Sequence, residues 1–224
     1  MRSAHTARFT RLFLQHTTDN YRPLKPQQLT APFGAVVRTG KVGIAESVGV
    51  WGVGGIGTHI VQLARLVGAA PIIAVDIKEA VRDRALELGA DYAFDSGDPN
   101  LSIRIAEVTG GRGLDVAFDV VGRKVTFEQA LSCLTVGGRL VCVGMSADSP
   151  TIGPTSYFGL TKKQVLGHLG YQNADIETLA KLVSLGRLDL SRSISRVIPL
   201  EEISEGIALL EQSTSNPIRI LVQP

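Results

Sequence analysis

Between a short, strongly apolar stretch and a segment of helical periodicity stands the run Gly52-Val53-Gly54-Gly55-Ile56-Gly57. Glycines at that spacing suit the binding of a pyrophosphate. The first permits a tight turn, the second lets the backbone approach the phosphates, and the third allows close packing of helix on strand, while the helix N-terminus offers free N–H groups and partial positive charge. Glycine-rich turns also arise for steric reasons alone, so the run needs context. Asp76 supplies it by closing the next apolar stretch, about 20 residues on, where a carboxylate accepts hydrogen bonds from the hydroxyls of an adenosine ribose. An acid there repels a 2′-phosphate and favours NAD over NADP, although Lys78 nearby leaves room for weaker NADP use.

Two other nucleotide-binding classes fit less well. Short-chain dehydrogenases need a catalytic Tyr-x-x-x-Lys, but Tyr157 is followed four residues later by Thr161. Methyltransferases that use S-adenosylmethionine place an acid just ahead of the glycines, where this chain has Val50 and Trp51.

The elements that must position these residues follow from periodicity. Ala31–Val42, with Pro32 near its start, predicts a short helix. Strands are predicted at Ser47–Val53, Pro71–Asp76, Tyr92–Asp95, Val116–Val121 and Arg139–Met145, and helices at Gly57–Val67, Glu79–Leu88, Ile103–Val108 and Val125–Leu134. This alternation implies right-handed crossovers and a doubly wound parallel sheet of the α/β class, a Rossmann fold. After Met145 the rhythm changes to a loop, a strand at Gln164–Leu169 and a helix at Asp175–Leu185. An α/β tail follows, with a strand at Ile194–Ile198, an amphipathic helix at Glu201–Gln212 and a last strand at Ile218–Val222. The expected divisions are an irregular basic lead-in (1–29), a nucleotide-binding domain (30–166) and the tail (167–224).

With 44% hydrophobic and 20% charged residues, the composition is that of an ordinary globular chain. A net charge of +2 gives no reason to expect nucleic acid or an anionic membrane as partner. No apolar run approaches the roughly 20 residues of a membrane span. Cys133 and Cys142 lack metal-site spacing and fit a reducing, cytoplasmic setting. The basic first 25 residues have the composition of a transit peptide, but Pro23 and Pro26 break the helix such a peptide needs, which favours a simple lead-in.

The segments "TAPFGAVVRTGKV", "VWGVGGIGTHIVQLARLVGA", "IIAVD", "ALELGADYAFDS", "TGGRGLDVAFDVVG", "ALSCLTVGGRLVCVGM" and "PIRILVQP" occur in one order over about Thr30 to Pro224. In that order and spacing they resemble the medium-chain dehydrogenase/reductase superfamily, in particular its zinc-type alcohol dehydrogenases. The resemblance implies an oxidoreductase that transfers hydride between NAD and an alcohol or aldehyde. It implies that Gly52, Gly54, Gly55, Ile56 and Gly57 form the phosphate turn, with Asp76 on the ribose and Lys78 beside the adenosine. Val121 and Arg123 would line the adenosine side, Val143 and Met145 would lie beside the nicotinamide, and Arg219 would reach the pyrophosphate.

The same family carries, ahead of this region, a GroES-like domain with the catalytic zinc and the proton relay, which finds no counterpart in these residues. Gln27 stands at the one family ligand position that the match covers, where Cys or Asp would be expected, and it is a poor zinc donor. His5, His16, His59 and His168 show no metal spacing. No catalytic residue and no metal ligand is therefore expected here, and the resemblance implies a truncated enzyme, incomplete for catalysis alone. The alternative is a non-catalytic nucleotide-binding module. A last strand deprived of its family sheet partners would present a bare edge. That implies a homodimer, also through Gln164–Leu169, or a complementing catalytic domain.

Overall fold

The computed structural model describes residues 27–188, 194–212 and 220–223. They fall into two compact units, one of Ala31–Tyr171 and one that takes in the residues up to Thr30 and those from Gln172 onward.

The larger unit is built on strands β1 (Val48–Trp51), β2 (Ile72–Asp76), β3 (Tyr92–Asp95), β4 (Leu114–Asp119), β5 (Leu134–Cys142) and β6 (Gln164–Gly167). All pairings are parallel and the order is β3-β2-β1-β4-β5-β6. The order reverses between β1 and β4, which opens a crevice at the carboxyl ends of those two strands. Helices α2 (Gly57–Val67), α3 (Glu79–Glu87), α4 (Leu101–Val108) and α5 (Lys124–Ser132) make the crossovers. The sheet is thus the doubly wound Rossmann type that the alternation predicts. α2 forms because Ile60, Val61, Leu63 and Ala64 recur on one buried stripe, and it stops at Gly68, whose φ of 89° suits only glycine.

Central strands read as continuous apolar runs because both faces are covered. On one face Trp51, Ile73, Val75 and Leu114 pack with Leu101 and Ile105 of α4 and with Phe127, Ala130 and Leu131 of α5. Gly49 makes room for this: a Cβ there would lie 2.5 Å from Leu114 and 2.7 Å from the Trp51 ring.

Several expected boundaries move. The first helix, α1, spans Gln27–Phe33 and continues as a π-helical turn, Gly34–Thr39, closed by Gly40 N–H on Ala35 O at 2.7 Å. Wide turns of this kind leave no mark in an apolar period. Helix α5 ends at Ser132 and β5 begins at Leu134, whereas periodicity predicts a helix through Leu134 and a strand from Arg139. The cause is a bulge: Leu114 pairs with Leu134 but Val116 pairs with Arg139, and Gly137 and Gly138 lie in the extra stretch. Helix α6 (Thr155–Thr161) was not expected. None of its residues is buried, so no apolar stripe announces it.

In the second unit lie α7 (Asn173–Ser184), β7 (Arg196–Pro199), a 3-10 turn at Leu200–Glu202, α8 (Ile203–Gln212) and β8 (Ile220–Gln223). The last strand does not lack partners: β8 pairs in parallel with β7, Ile198 opposite Val222. Gly206 lets α8 rest on this pair, since a Cβ there would lie 2.5 Å from Ile198.

Candidate functional site

The chain leaves β1 at Trp51 and turns at once. Gly52, with φ of 85°, donates its N–H to Val75 O at 2.8 Å, which ties the turn to β2. Gly57 opens α2 so close to the turn that a Cβ on it would lie 2.0 Å from Gly52 O. Gly54 is different, for a Cβ there would meet nothing within 4 Å. The first and third glycines are therefore required by the fold, and the second faces open space. Thr58, buried behind the turn, points its hydroxyl at Val53 O, 2.8 Å away.

Asp76 ends β2 and braces this turn. Its Oδ2 accepts from Val53 N–H at 3.0 Å and its Oδ1 from Lys78 N–H at 3.0 Å. Each carboxylate oxygen keeps a further lone pair for an incoming hydroxyl. Arg82 donates to the carbonyls of Asp76 and Ile77 at 2.9 and 3.0 Å and faces Asp95 at 3.3 Å, so its charge is already engaged.

A cleft of about 650 Å³ opens beside Asp76, with Trp51, Gly52, Ile77, Val121 and Arg123 among its walls. Such a volume suits a nucleotide-sized ligand. At its rim Asp148 accepts from Arg123 Nε at 3.0 Å and from Lys124 N–H at 2.9 Å. Those two bonds, the Lys124 N–H first, hold the Asp148 carboxyl below the ordinary carboxylate range.

Behind the wall lies Asp119, the last residue of β4 and 1% exposed. Its Oδ1 accepts from Val121 N–H at 3.1 Å, Gly122 N–H at 3.0 Å and the Thr126 hydroxyl at 2.9 Å. Burial raises its pKa, and the three hydrogen bonds, which favour the charged form, only partly offset that. Its backbone carbonyl accepts from Val143 and Gly144, both at 2.9 Å. The loops after β4 and β5 then touch: a Cβ on Gly122 would lie 2.6 Å from the Gly144 carbonyl carbon. Cys142, at the end of β5, has its thiol pushed up to about 11 by burial first and by Asp119 second.

Of the residues singled out by sequence, Gly52, Asp76, Val121 and Arg123 line one cleft. Gly54, Gly55, Ile56 and Gly57 build the turn at its edge, and Lys78 leads into α3. Val143 and Met145 flank Gly144 in the loop after β5 and are not among the residues of the cleft wall, with Met145 81% exposed. Arg219, His5 and His16 lie outside the described residues, as does the side chain of Gln27. His59 is buried in α2 with Nδ1 3.1 Å from Gln62, and His168 follows β6, bridging Thr39 Oγ1 and Ala31 O at 2.9 Å each. Among the described residues no group of three or more His, Cys, Asp or Glu side chains could hold a metal ion, and no helix is long and apolar enough to cross a membrane.

Sequence reasoning missed Trp51, Asp119, Thr126 and Asp148. An acid at the end of the apolar run "DVAFD" was a usable signal for Asp119, since a buried carboxylate must be hydrogen-bonded. Nothing local marks Asp148, whose role depends on a loop folding back on α5.

Residues 55–185 match the family model described as "Zinc-binding dehydrogenase". The chain is 31% identical over 189 residues to the (R,R)-butanediol dehydrogenase of Bacillus subtilis, covering 84% of this chain and 54% of that protein. It is 34% identical over 174 residues to the NDMA-dependent alcohol dehydrogenase of Amycolatopsis methanolica, covering 75% and 47%. A zinc-binding dehydrogenase of Sinorhizobium meliloti, solved with NADP bound, superposes with a TM-score of 0.80 at 27% identity over 89% of this chain and 58% of that one. The chain thus spans about half the length of the curated relatives it matches.

Proposed function

Because this chain belongs to the zinc-binding dehydrogenase family, we propose that it is the nicotinamide-dinucleotide-holding part of an alcohol dehydrogenase-type oxidoreductase. One observation carries the reading: Gly54, unlike Gly52 and Gly57, faces open space, beside a cleft with a carboxylate on its wall. Bound NAD would supply the hydride acceptor. The glycine turn and the N-terminus of α2 would hold the pyrophosphate, Asp76 the adenosine ribose, and Ile77 and Val121 would cover the adenine. Val143 and Met145 would lie toward the nicotinamide.

NAD is the preferred form in this reading. A 2′-phosphate would meet Asp76, while Arg82 is drawn to Asp95 and Arg123 to Asp148. Zinc has no place among these residues in the proposal, since Gln27 is a weak donor for it. The working partner would be a second copy, through the edge strand β6, or a substrate-binding domain supplied by another chain.

The experiment is a hydride-transfer assay with NAD and a panel of alcohols, aldehydes and quinones, with and without zinc. The proposal expects NADH binding but turnover only when a substrate domain is supplied. Turnover by this chain alone would overturn that dependence. A folded chain that binds no NADH would overturn the reading itself.

A further inference from the structure

We infer that Asp119 is a positioning residue of the cleft, a buried group that fixes the loop walls on which both ends of a dinucleotide would lie. The inference rests on the dinucleotide reading and adds to it a residue that touches no ligand. Its carboxylate, 1% exposed, is spent on the loop after β4: Val121 N–H, Gly122 N–H and the Thr126 hydroxyl all converge on one oxygen within 3.1 Å. Val121, whose side chain forms part of the cleft wall, is thereby held from behind. The backbone oxygen of the same residue receives Val143 and Gly144, so the loop after β5 is anchored to the same point.

The strands explain why this residue can do so. Asp119 pairs with Trp51 on one side and Cys142 on the other, in the middle of the row of strand ends that border the crevice. Gly122 and Gly144 let the two loops close to backbone contact, and the Ser146 hydroxyl adds a bond onto Gly122 O. Without the carboxylate, two backbone donors at the corner lose their buried acceptor, and the loop must turn to find another. The predicted effect is a displaced Val121 and a weakened adenosine site, with the glycine turn untouched.

AMP is the probe, because it occupies the adenosine side alone. Wild type, Asp119→Ala and Asp119→Asn are titrated calorimetrically, with urea unfolding run in parallel to establish the folded fraction. Asp119→Ala should weaken AMP at least tenfold in the folded protein. Asp119→Asn, which keeps an acceptor oxygen in place, should stay within threefold of wild type. Equal AMP affinity for Asp119→Ala and wild type overturns the inference, and so does an Asn variant that loses as much as the Ala variant. If Asp119→Ala does not fold, Thr126→Val serves, with a loss of about threefold expected and restored by Thr126→Ser; no loss in Thr126→Val overturns it. A folded wild type that binds neither AMP nor NADH removes the dinucleotide reading and this inference with it.

Discussion

Gly57 stands against the carbonyl of Gly52 with only 2.0 Å between that oxygen and the place where a Cβ would go, while Gly54, three residues earlier, would meet nothing within 4 Å. Two glycines of one turn therefore serve different ends. Gly57→Ala must push α2 away from the turn and should cost about 3 kcal/mol, the upper range for overpacking. Gly54→Ala should change stability by less than about 1 kcal/mol. Urea unfolding of the two variants checks this, and equal stability losses would show that the turn has been misread.

Asp76→Ser removes both the ribose acceptor and the charge that repels a 2′-phosphate. The NAD-to-NADP affinity ratio should fall by about tenfold, equivalent to about 1.4 kcal/mol. Fluorescence titration with NADH and NADPH measures it directly. An unchanged ratio would mean that Asp76 does not meet the ribose.

The glycine turn and the placing of Asp76 beside it were legible because such a turn is local: one strand end, one helix start and one later strand end fix it. The doubly wound parallel sheet was legible for a similar reason, since apolar runs buried on both faces alternate with helical periods. What escaped depends on non-local contacts. Asp119 gains its meaning from Thr126 and the corner at Gly122, and Asp148 gains its own from Lys124. The bulge in β5 is set by pairing with Leu114 and Val116, and β8 found a partner in β7 that no local pattern in either strand names.

Arg139 holds the loop that precedes β1. It is bidentate to Glu46, at 3.0 and 2.5 Å, and also donates to the carbonyls of Gly40 and Lys41. The bond from Arg139 is the main cause that lowers the Glu46 pKa from its ordinary 4.5. A depressed folded-state value means stability that is present above 4.5 and lost as pH falls through the lower folded value. Arg139→Met should cost about 2 kcal/mol at pH 7, less than a fully buried pair because both side chains keep some exposure. The advantage of wild type over Glu46→Gln should shrink as unfolding is measured from pH 5 down to pH 3. A constant difference would contradict the pairing.

Cys142 is the other titrating group with a readable consequence. With its thiol near 11, its thiolate fraction at neutral pH is small, and alkylation should be roughly a hundredfold slower than for a free thiol. Mass spectrometry of the Cys142 peptide after timed iodoacetamide treatment reads the rate, which should climb steadily with pH while the fold persists. A rate equal to that of free cysteine at pH 7 would place the thiol in a different environment.

The central claim is that the cleft beside Gly54 and Asp76 holds a nicotinamide dinucleotide, and NADH fluorescence titration of wild type against Gly54→Ala tests it most directly. Saturable binding by wild type, weakened at least tenfold in a Gly54→Ala variant of unchanged urea midpoint, is the predicted result. Absence of binding by the folded wild type, or equal affinity in the two proteins, would contradict it.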